Sequence, residues 1–271
     1  MERYIGAPPF QWQGEINRES EQAGGLINWW PLDGNANEMI AKQNGTIYGA
    51  LGAASIFGGT VRFDGVDDYI GIVGAAGLSG LQTGTISLWA KWSGTQDGGY
   101  GNTQFGHAFG VQRDGSYSQQ IIALSTNNPA TAKVVWCAYA YNPADITSVT
   151  TVGEDTWRHV VVAYRTGSHT LYLDGKFEAT HPAGGTMQSD SSAVLGIGAW
   201  PGGGAGFMAG QLKDVRIYNR ALSAAEVWQL YVPQTRWQLY AMPEYRRWFV
   251  PVVAGGIIPR VVHHMRQQGM S

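Results

Sequence analysis

The sequence predicts an all-β fold, a sandwich of two antiparallel sheets, and three observations lead to this prediction. Short segments rich in β-branched and aromatic residues recur along the chain, for example at 133–139 and 158–164. The turn dipeptides Asn44-Gly45, Asp114-Gly115 and Asp174-Gly175 separate such segments. No helical pattern of about 10–15 residues alternates with them, which argues against a parallel sheet. The architecture that fits these signals is a jelly roll.

The individual elements follow from local patterns in chain order. Asp174-Gly175 lies between two apolar segments and predicts a two-residue hairpin, because both residue types tolerate positive φ. Ser223 and Glu226 have the S-x-x-E spacing of a capping box and predict the start of a helix. The segments predicted as strands are 45–49, 61–63, 87–92, 120–124, 133–139, 158–164 and 171–177.

Composition divides the chain into one large domain and two arms. We expect an N-terminal arm at 1–24, a β domain at 25–231 and a C-terminal tail at 232–271. The tail holds five arginines against Glu244, a net charge of +4, so the rest of a chain of net charge −2 carries −6. Such a chain is not an obvious nucleic-acid binder. The N-terminus lacks the apolar segment of a secretory signal, and no apolar run is long enough to predict a membrane span.

Catalytic patterns are missing from the sequence. Glycoside hydrolysis needs two carboxyl groups about 5 Å apart for retaining chemistry, and no E-x-D-x-E spacing is present. Glu154 and Asp155 are adjacent, so on an extended strand their side chains would point to opposite faces. The single cysteine, Cys137, stands in an apolar segment and is interpreted as a buried hydrophobe. We therefore predict that the chain is not an enzyme.

Six segments in chain order resemble the motifs of laminin-G-like, concanavalin A-like jelly-roll domains. The closing segment matches almost letter for letter, with Asp214 before Val-Arg-Ile-Tyr and the capping box of Ser223 after it. The resemblance implies two antiparallel sheets with extended arms at both ends. The matching segments are 25–37, 61–72, 85–92, 156–164, 171–177 and 210–231.

The resemblance also implies a structural calcium site. In related laminarinases an aspartate before the final strand shares an ion with the opening strand and a glycine carbonyl, which here would be Asp214, Asp33 and Gly45. Calcium prefers such oxygen ligands. The alternative is that both aspartates cap turns. A second acidic group, Asp64, Asp67 and Asp68, is better interpreted as an Asx turn than as a cation site.

Aromatic residues are the candidates for sugar binding, because an aromatic ring packs against the apolar face of a sugar ring. Trp200 stands in a glycine-rich loop and is the better exposed candidate. Trp136 and Tyr139 are further candidates. The alternative for aromatic residues on strands, such as Trp89, is that they belong to the core of the sandwich.

Two functions are compatible with these features. The chain resembles laminin-G-like proteins of tailed bacteriophages, which implies a capsid decoration or tail accessory protein made in the host cytoplasm and assembled into the virion. Trp237, Arg246, Arg247 and Trp248 would then dock on other virion proteins or on further copies of the chain. The alternative is a carbohydrate-binding adhesin that gains avidity from many copies.

Overall fold

The computed structural model describes residues 14–74, 76–93, 105–112, 120–127, 133–137, 146–182, 193–200 and 206–241. Within them the chain forms fifteen strands, one short 3-10 helix at Glu21–Ala23 and one α-helix, α1, at Ala224–Tyr231. The strands are β1 Leu26–Trp30, β2 Thr46–Tyr48, β3 Leu51–Ser55, β4 Gly58–Asp64, β5 Tyr69–Ile72, β6 Thr83–Trp92, β7 Phe105–Gln112, β8 Gln120–Asn127, β9 Lys133–Cys137, β10 Ile146–Thr147, β11 Trp157–Arg165, β12 Ser168–Leu173, β13 Lys176–His181, β14 Val194–Ile197 and β15 Ala209–Tyr218.

The strands form two sheets in which the described pairings are antiparallel, so the predicted all-β sandwich is confirmed. An eight-stranded sheet has the order β13-β12-β11-β6-β15-β4-β3, with β1 added beside β15. A seven-stranded sheet has the order β10-β9-β8-β7-β14-β5-β2.

Two local predictions are also confirmed. The hairpin at Asp174-Gly175 joins β12 to β13, and both residues have positive φ, 52° and 75°. The capping box is complete, because the Ser223 side chain accepts from the backbone N–H of Glu226 and the Glu226 carboxylate accepts from the backbone N–H of Ser223.

The chain has two hydrophobic cores. The first core lies between the sheets and includes Trp30, Leu88 and Val162. Their chain neighbours Trp29, Trp89 and Val161 point the opposite way, because successive residues of a strand face opposite sides. These neighbours form a second core on the outer face of the eight-stranded sheet, which is covered by α1 and by parts of 14–24 and 232–241.

The segments next to both ends of the described chain therefore pack on the domain itself. Ile16 pairs with Tyr240 in an isolated antiparallel bridge, and the backbone N–H of Ala241 donates to the carbonyl of Glu15. Trp237 is 8% exposed and lies edge-on to Tyr240 in the second core. The prediction of Trp237 as a partner-docking residue is wrong, because its ring is already buried within its own chain. Arg246, Arg247 and Trp248 lie outside the described residues.

Candidate functional site

Four aromatic residues of interest lie at one end of the seven-stranded sheet. Ile197, the last residue of β14, pairs with Ile70 of β5 and with Phe109 of β7. Residues 198–200 therefore leave the sheet beside the beginning of β5, where Tyr69 stands, and beside the earlier part of β7, where His107 stands. We call Tyr48, Tyr69, His107 and Trp200 the aromatic rim.

Trp200 and His107 form one part of the aromatic rim. Their ring centroids are 4.5 Å apart, and Trp200 is half-buried while His107 is buried. The carbonyl of Gly206 accepts from the backbone N–H of His107 at 2.9 Å. A Cβ atom at Gly206 would lie 2.4 Å from both side chains, so only glycine fits where this loop returns. The sequence predicted Trp200 as an exposed ring but gave no signal for its contact with His107.

Tyr48 and Tyr69 form the other part of the aromatic rim. They are direct cross-strand partners on β2 and β5, and their rings stack with centroids 4.4 Å apart and planes within 9°. Tyr48 is 46% exposed. Burial and the neighbouring Tyr48 raise the pKa of Tyr69. This pair was not predictable from the sequence, because nothing local indicates that residues 21 positions apart face each other.

An acidic loop borders Tyr69. The carboxylates of Asp64, Asp67 and Asp68 lie within 4.8 Å of one another. Asp64 accepts from the backbone N–H groups of Val66 and Asp67, and Asp68 accepts from that of Asp64. Burial and the two neighbouring carboxylates raise the pKa of Asp68. These bonds are those of the predicted Asx turn, which orders the loop between β4 and β5.

The residues predicted to bind calcium are not brought together. Asp214 has a left-handed φ of 58° at a bulge in β15, which directs it into the second core. There its carboxylate accepts from the indole N–H of Trp29 and pairs with Arg216. Asp33 pairs with Lys213 instead. Each predicted carboxylate ligand already has a cationic partner.

Gly45 lies on the other side of the eight-stranded sheet from Asp214. A Cβ atom at Gly45 would contact Ile70, which belongs to the first core between the sheets. The three residues thus have different surroundings, and the ion pairs of Asp33 and Asp214 fit the alternative role of fixing their own neighbourhoods. Calcium binding by Asp33, Gly45 and Asp214 stays a prediction.

The other two predicted sugar-binding residues are Trp136 and Tyr139. Trp136 of β9 is fully buried in the first core, where its indole N–H donates to Nδ1 of His169 at 3.1 Å. Its prediction as a sugar platform is wrong, because the inward alternation of β9 places the ring between the sheets. Tyr139 lies outside the described residues. Of the three predicted platforms, Trp200 alone is both described and accessible.

Comparison with known proteins agrees with this architecture. A curated relative, adhesion G-protein coupled receptor V1 of Danio rerio, is 27% identical over 173 residues, which cover 59% of this chain and 2% of the receptor. The chain thus spans a small fraction of the length of this relative. No helix among the described residues is long and apolar enough to cross a membrane.

Solved structures share the fold at low identity. Domain 4 of the arabinanase AbnA from Geobacillus stearothermophilus, solved in complex with arabinotriose, is 16% identical with a TM-score of 0.58, covering 76% of this chain and 98% of that one. The binding domain of Paraclostridial Mosquitocidal Protein 1 is 15% identical with a TM-score of 0.57, covering 76% and 52%. A pentraxin of Limulus polyphemus is 16% identical with a TM-score of 0.52, covering 64% and 81%.

The match to a protein-family model is broader than any single motif. A model described as the concanavalin A-like lectin/glucanases superfamily matches residues 64–228, which is 165 of the 271 residues. This region begins at the acidic loop and ends within α1, so it includes most strands of both sheets. Because the match covers more than half of its length, the chain belongs to the concanavalin A-like lectin/glucanases superfamily.

Proposed function

We propose that this chain is a non-catalytic carbohydrate-binding module and that its sugar site is the aromatic rim. The observation that carries the proposal is the half-buried indole of Trp200, held in place by His107 at the same end of the sheet as the stacked tyrosines. An immobilised aromatic ring offers a flat apolar surface to a sugar without the cost of ordering it on binding.

The superfamily relatives support the same class of ligand. Domain 4 of AbnA was solved with arabinotriose, and the mosquitocidal protein relative is itself a binding domain. Arabinotriose is therefore a reasonable first probe, together with a broad glycan array. These likenesses support the choice of probes, and binding to the array would identify the natural glycan.

The acidic loop favours binding over catalysis. Asp64, Asp67 and Asp68 are close enough for acid–base chemistry, and the pKa of Asp68 is raised. However, Asp68 is 7% exposed and its carboxylate already accepts from the backbone N–H of Asp64, so it is poorly placed to reach a glycosidic bond. We propose that these carboxylates shape the loop. Hydrolysis of a bound glycan that is abolished by Asp68→Asn would overturn this assignment.

The test of the proposed function is Trp200→Ala against Trp228→Ala. Trp228 is a matched control, because it is also exposed, at 42%, but lies on α1 over the other sheet. We expect Trp200→Ala to weaken glycan binding about tenfold, which corresponds to about 1.4 kcal/mol, and Trp228→Ala to leave it unchanged. Equal effects of the two substitutions, or no glycan bound by the full chain, would refute the proposal.

The second candidate function is a virion structural protein that docks through its C-terminal tail. It is favoured by the path of 232–241, which returns to the domain and fixes Ala241 beside Glu15. The sequence that follows, 242–271, carries four arginines and one glutamate. It also contains the predicted docking residues Arg246, Arg247 and Trp248. Other virion proteins, or further copies of the chain, would be the partners.

Truncation after Ala241 tests this second candidate and keeps every described residue of the second core. The full chain, co-expressed with the virion proteins of its source, should be incorporated into particles, and the 1–241 chain should not. Incorporation of both chains, or of neither, would argue against tail docking. The two candidate functions are compatible, because a glycan-binding module can be displayed on a particle.

A further inference from the structure

The stacked tyrosines form a surface distinct from the Trp200–His107 contact. Tyr48 ends β2, the edge strand of the seven-stranded sheet, and Tyr69 begins β5. The next pair along β2 and β5 is Ile47 and Ile70, and Ile70 is fully buried in the first core. By strand alternation, Tyr48 and Tyr69 therefore face away from that core.

The backbone beside the pair is adapted to the two rings. Gly71 shares the outward face of β5 with Tyr69, and a Cβ atom there would lie 3.3 Å from the ring of Tyr48 and 3.4 Å from that of Tyr69. A side chain at this position would push the rings away from the sheet. With glycine there, the two rings stay close to the sheet and stack nearly parallel, with an angle of 9° between their planes.

The outward strand positions around the pair are uncharged, and the charged groups closest in sequence belong to the acidic loop before Tyr69. By strand alternation the outward positions of β2, β5 and β14 include Thr46, Gly71, Val194 and Gly196, and none of these four can ionise. In the acidic loop Asp68 is buried and bonded to the backbone of Asp64, whereas Asp64 and Asp67 are exposed. The exposed ring of Tyr48 and its hydroxyl group suit the apolar face and the hydroxyl groups of an uncharged sugar. The neighbouring carboxyl groups of Asp64 and Asp67 disfavour an anionic glycan.

We propose that Tyr48 and Tyr69 form a second sugar-binding subsite, so that the ligand of the aromatic rim is an extended, uncharged polysaccharide rather than a single terminal sugar. This inference rests on the proposed function. One strand, β14, lies next to β5 and leads into Trp200, so both aromatic subsites occupy the same end of one sheet. A chain of several sugar residues can contact both subsites at once, and a single sugar can contact one.

The experiment measures affinity against the length of the glycan. The probes are arabinotriose and longer linear arabinan fragments, and, where the array identifies another glycan, its own length series. For the full chain we expect the dissociation constant to fall at least tenfold from the shortest to the longest fragment. Tyr48→Ala should reduce this gain to less than twofold, whereas Tyr48→Phe, which keeps the ring, should retain most of it.

Controls separate this inference from the proposed function. Phe177→Ala removes another exposed aromatic side chain, 59% exposed on β13 of the other sheet, and should leave the length dependence unchanged. Because Tyr48 is almost half exposed, its substitution should preserve the melting temperature, which verifies the fold. A length gain that survives Tyr48→Ala, or a preference for charged glycans, would overturn the second subsite while Trp200-dependent binding kept the proposed function intact. No binding by the full chain would overturn both.

Discussion

At the scale of single residues, the least expected feature is the concentration of charge in the second core. Asp214, Arg216 and Arg236 are each at most 4% exposed. Arg216 pairs with Asp214 and also donates to Gln22 and to the backbone carbonyl of Arg236, so one guanidinium joins β15 to both terminal segments. Arg236 lies over the ring of Trp89, 5.1 Å from its centroid. The single carboxylate of Asp214 therefore balances two buried cations.

We predict that Asp214→Asn destabilises the fold by about 3–5 kcal/mol, because it leaves buried guanidinium groups without a countercharge. The amide keeps an oxygen for the indole of Trp29, so the loss reports charge rather than shape. The control is Asp155→Asn, which breaks the exposed pair with Lys91 and should cost less than about 1 kcal/mol. Urea unfolding measures both. Equal losses would show that the buried pair contributes no more than a surface pair.

A second prediction concerns His159, whose pKa is lowered well below its usual value by burial and by the charges of Arg216 and Arg236. The folded chain keeps this imidazole neutral, while the unfolded chain protonates it below about pH 6.5. Stability should therefore fall as the pH decreases from about 6.5, by up to about 1.4 kcal/mol for each pH unit. His159→Gln, which can still bond Ser87, should reduce that slope.

The comparison for this prediction is the wild-type chain. His169 also has a lowered pKa, about 4, and contributes to acid sensitivity in every variant that retains it. The measurement is therefore the slope of the unfolding free energy against pH, compared between the two chains by urea unfolding at pH 7.5, 6.5 and 5.5. Parallel pH profiles for the wild type and His159→Gln would contradict the assignment.

At the scale of elements, the loop that returns at Gly206 determines the position of Trp200. We predict that Gly206→Ala displaces Trp200 and His107, because its Cβ would overlap both, and weakens glycan binding about as much as Trp200→Ala. Gly167→Ala is the matched control. It has a similar positive φ, 81° against 65°, but its Cβ would meet nothing within 4 Å.

Both glycine substitutions should cost about 1 kcal/mol of backbone strain. This strain should lower the melting temperatures of the two variants by similar amounts. The near-ultraviolet circular dichroism spectrum of the chain, to which Trp200 contributes, should change only in Gly206→Ala. Retained glycan binding by Gly206→Ala would mean that the rim does not depend on this loop.

Some elements of the fold were predictable from the sequence and others were not. The hairpin at Asp174-Gly175 and the capping box of Ser223 were predictable, because local backbone chemistry fixes both. The second core was not predicted, although a signal existed: β6 and β11 carry apolar residues on both faces, as at Trp89 and Ala90, which indicates a strand covered on both sides. The stacking of Tyr48 on Tyr69 had no such signal, because it depends on the register between β2 and β5.

At the scale of the whole molecule, the fold is a three-layer arrangement in which the terminal segments form the third layer. The seven-stranded sheet carries the aromatic rim at one end, and the outer face of the eight-stranded sheet is covered by α1, Ile16, Trp237 and Tyr240. The proposed glycan site and the departure point of the tail at Ala241 therefore belong to different sheets. A module displayed through its tail would keep its glycan site separate from its attachment.

This division predicts different outcomes for two truncations. Ending the chain at Ala241 should leave the melting temperature unchanged, whereas ending it at Tyr231 removes Trp237, Leu239 and Tyr240 from the second core. Each buried side chain contributes about 2–3 kcal/mol, so the shorter chain should lose more than about 5 kcal/mol or fail to fold. It should also bind a hydrophobic dye, because Trp29 and Trp89 would lose their cover. Equal stability of the two truncated chains would show that 232–241 is dispensable, and would support the predicted boundary at Tyr231 as the end of the folded unit.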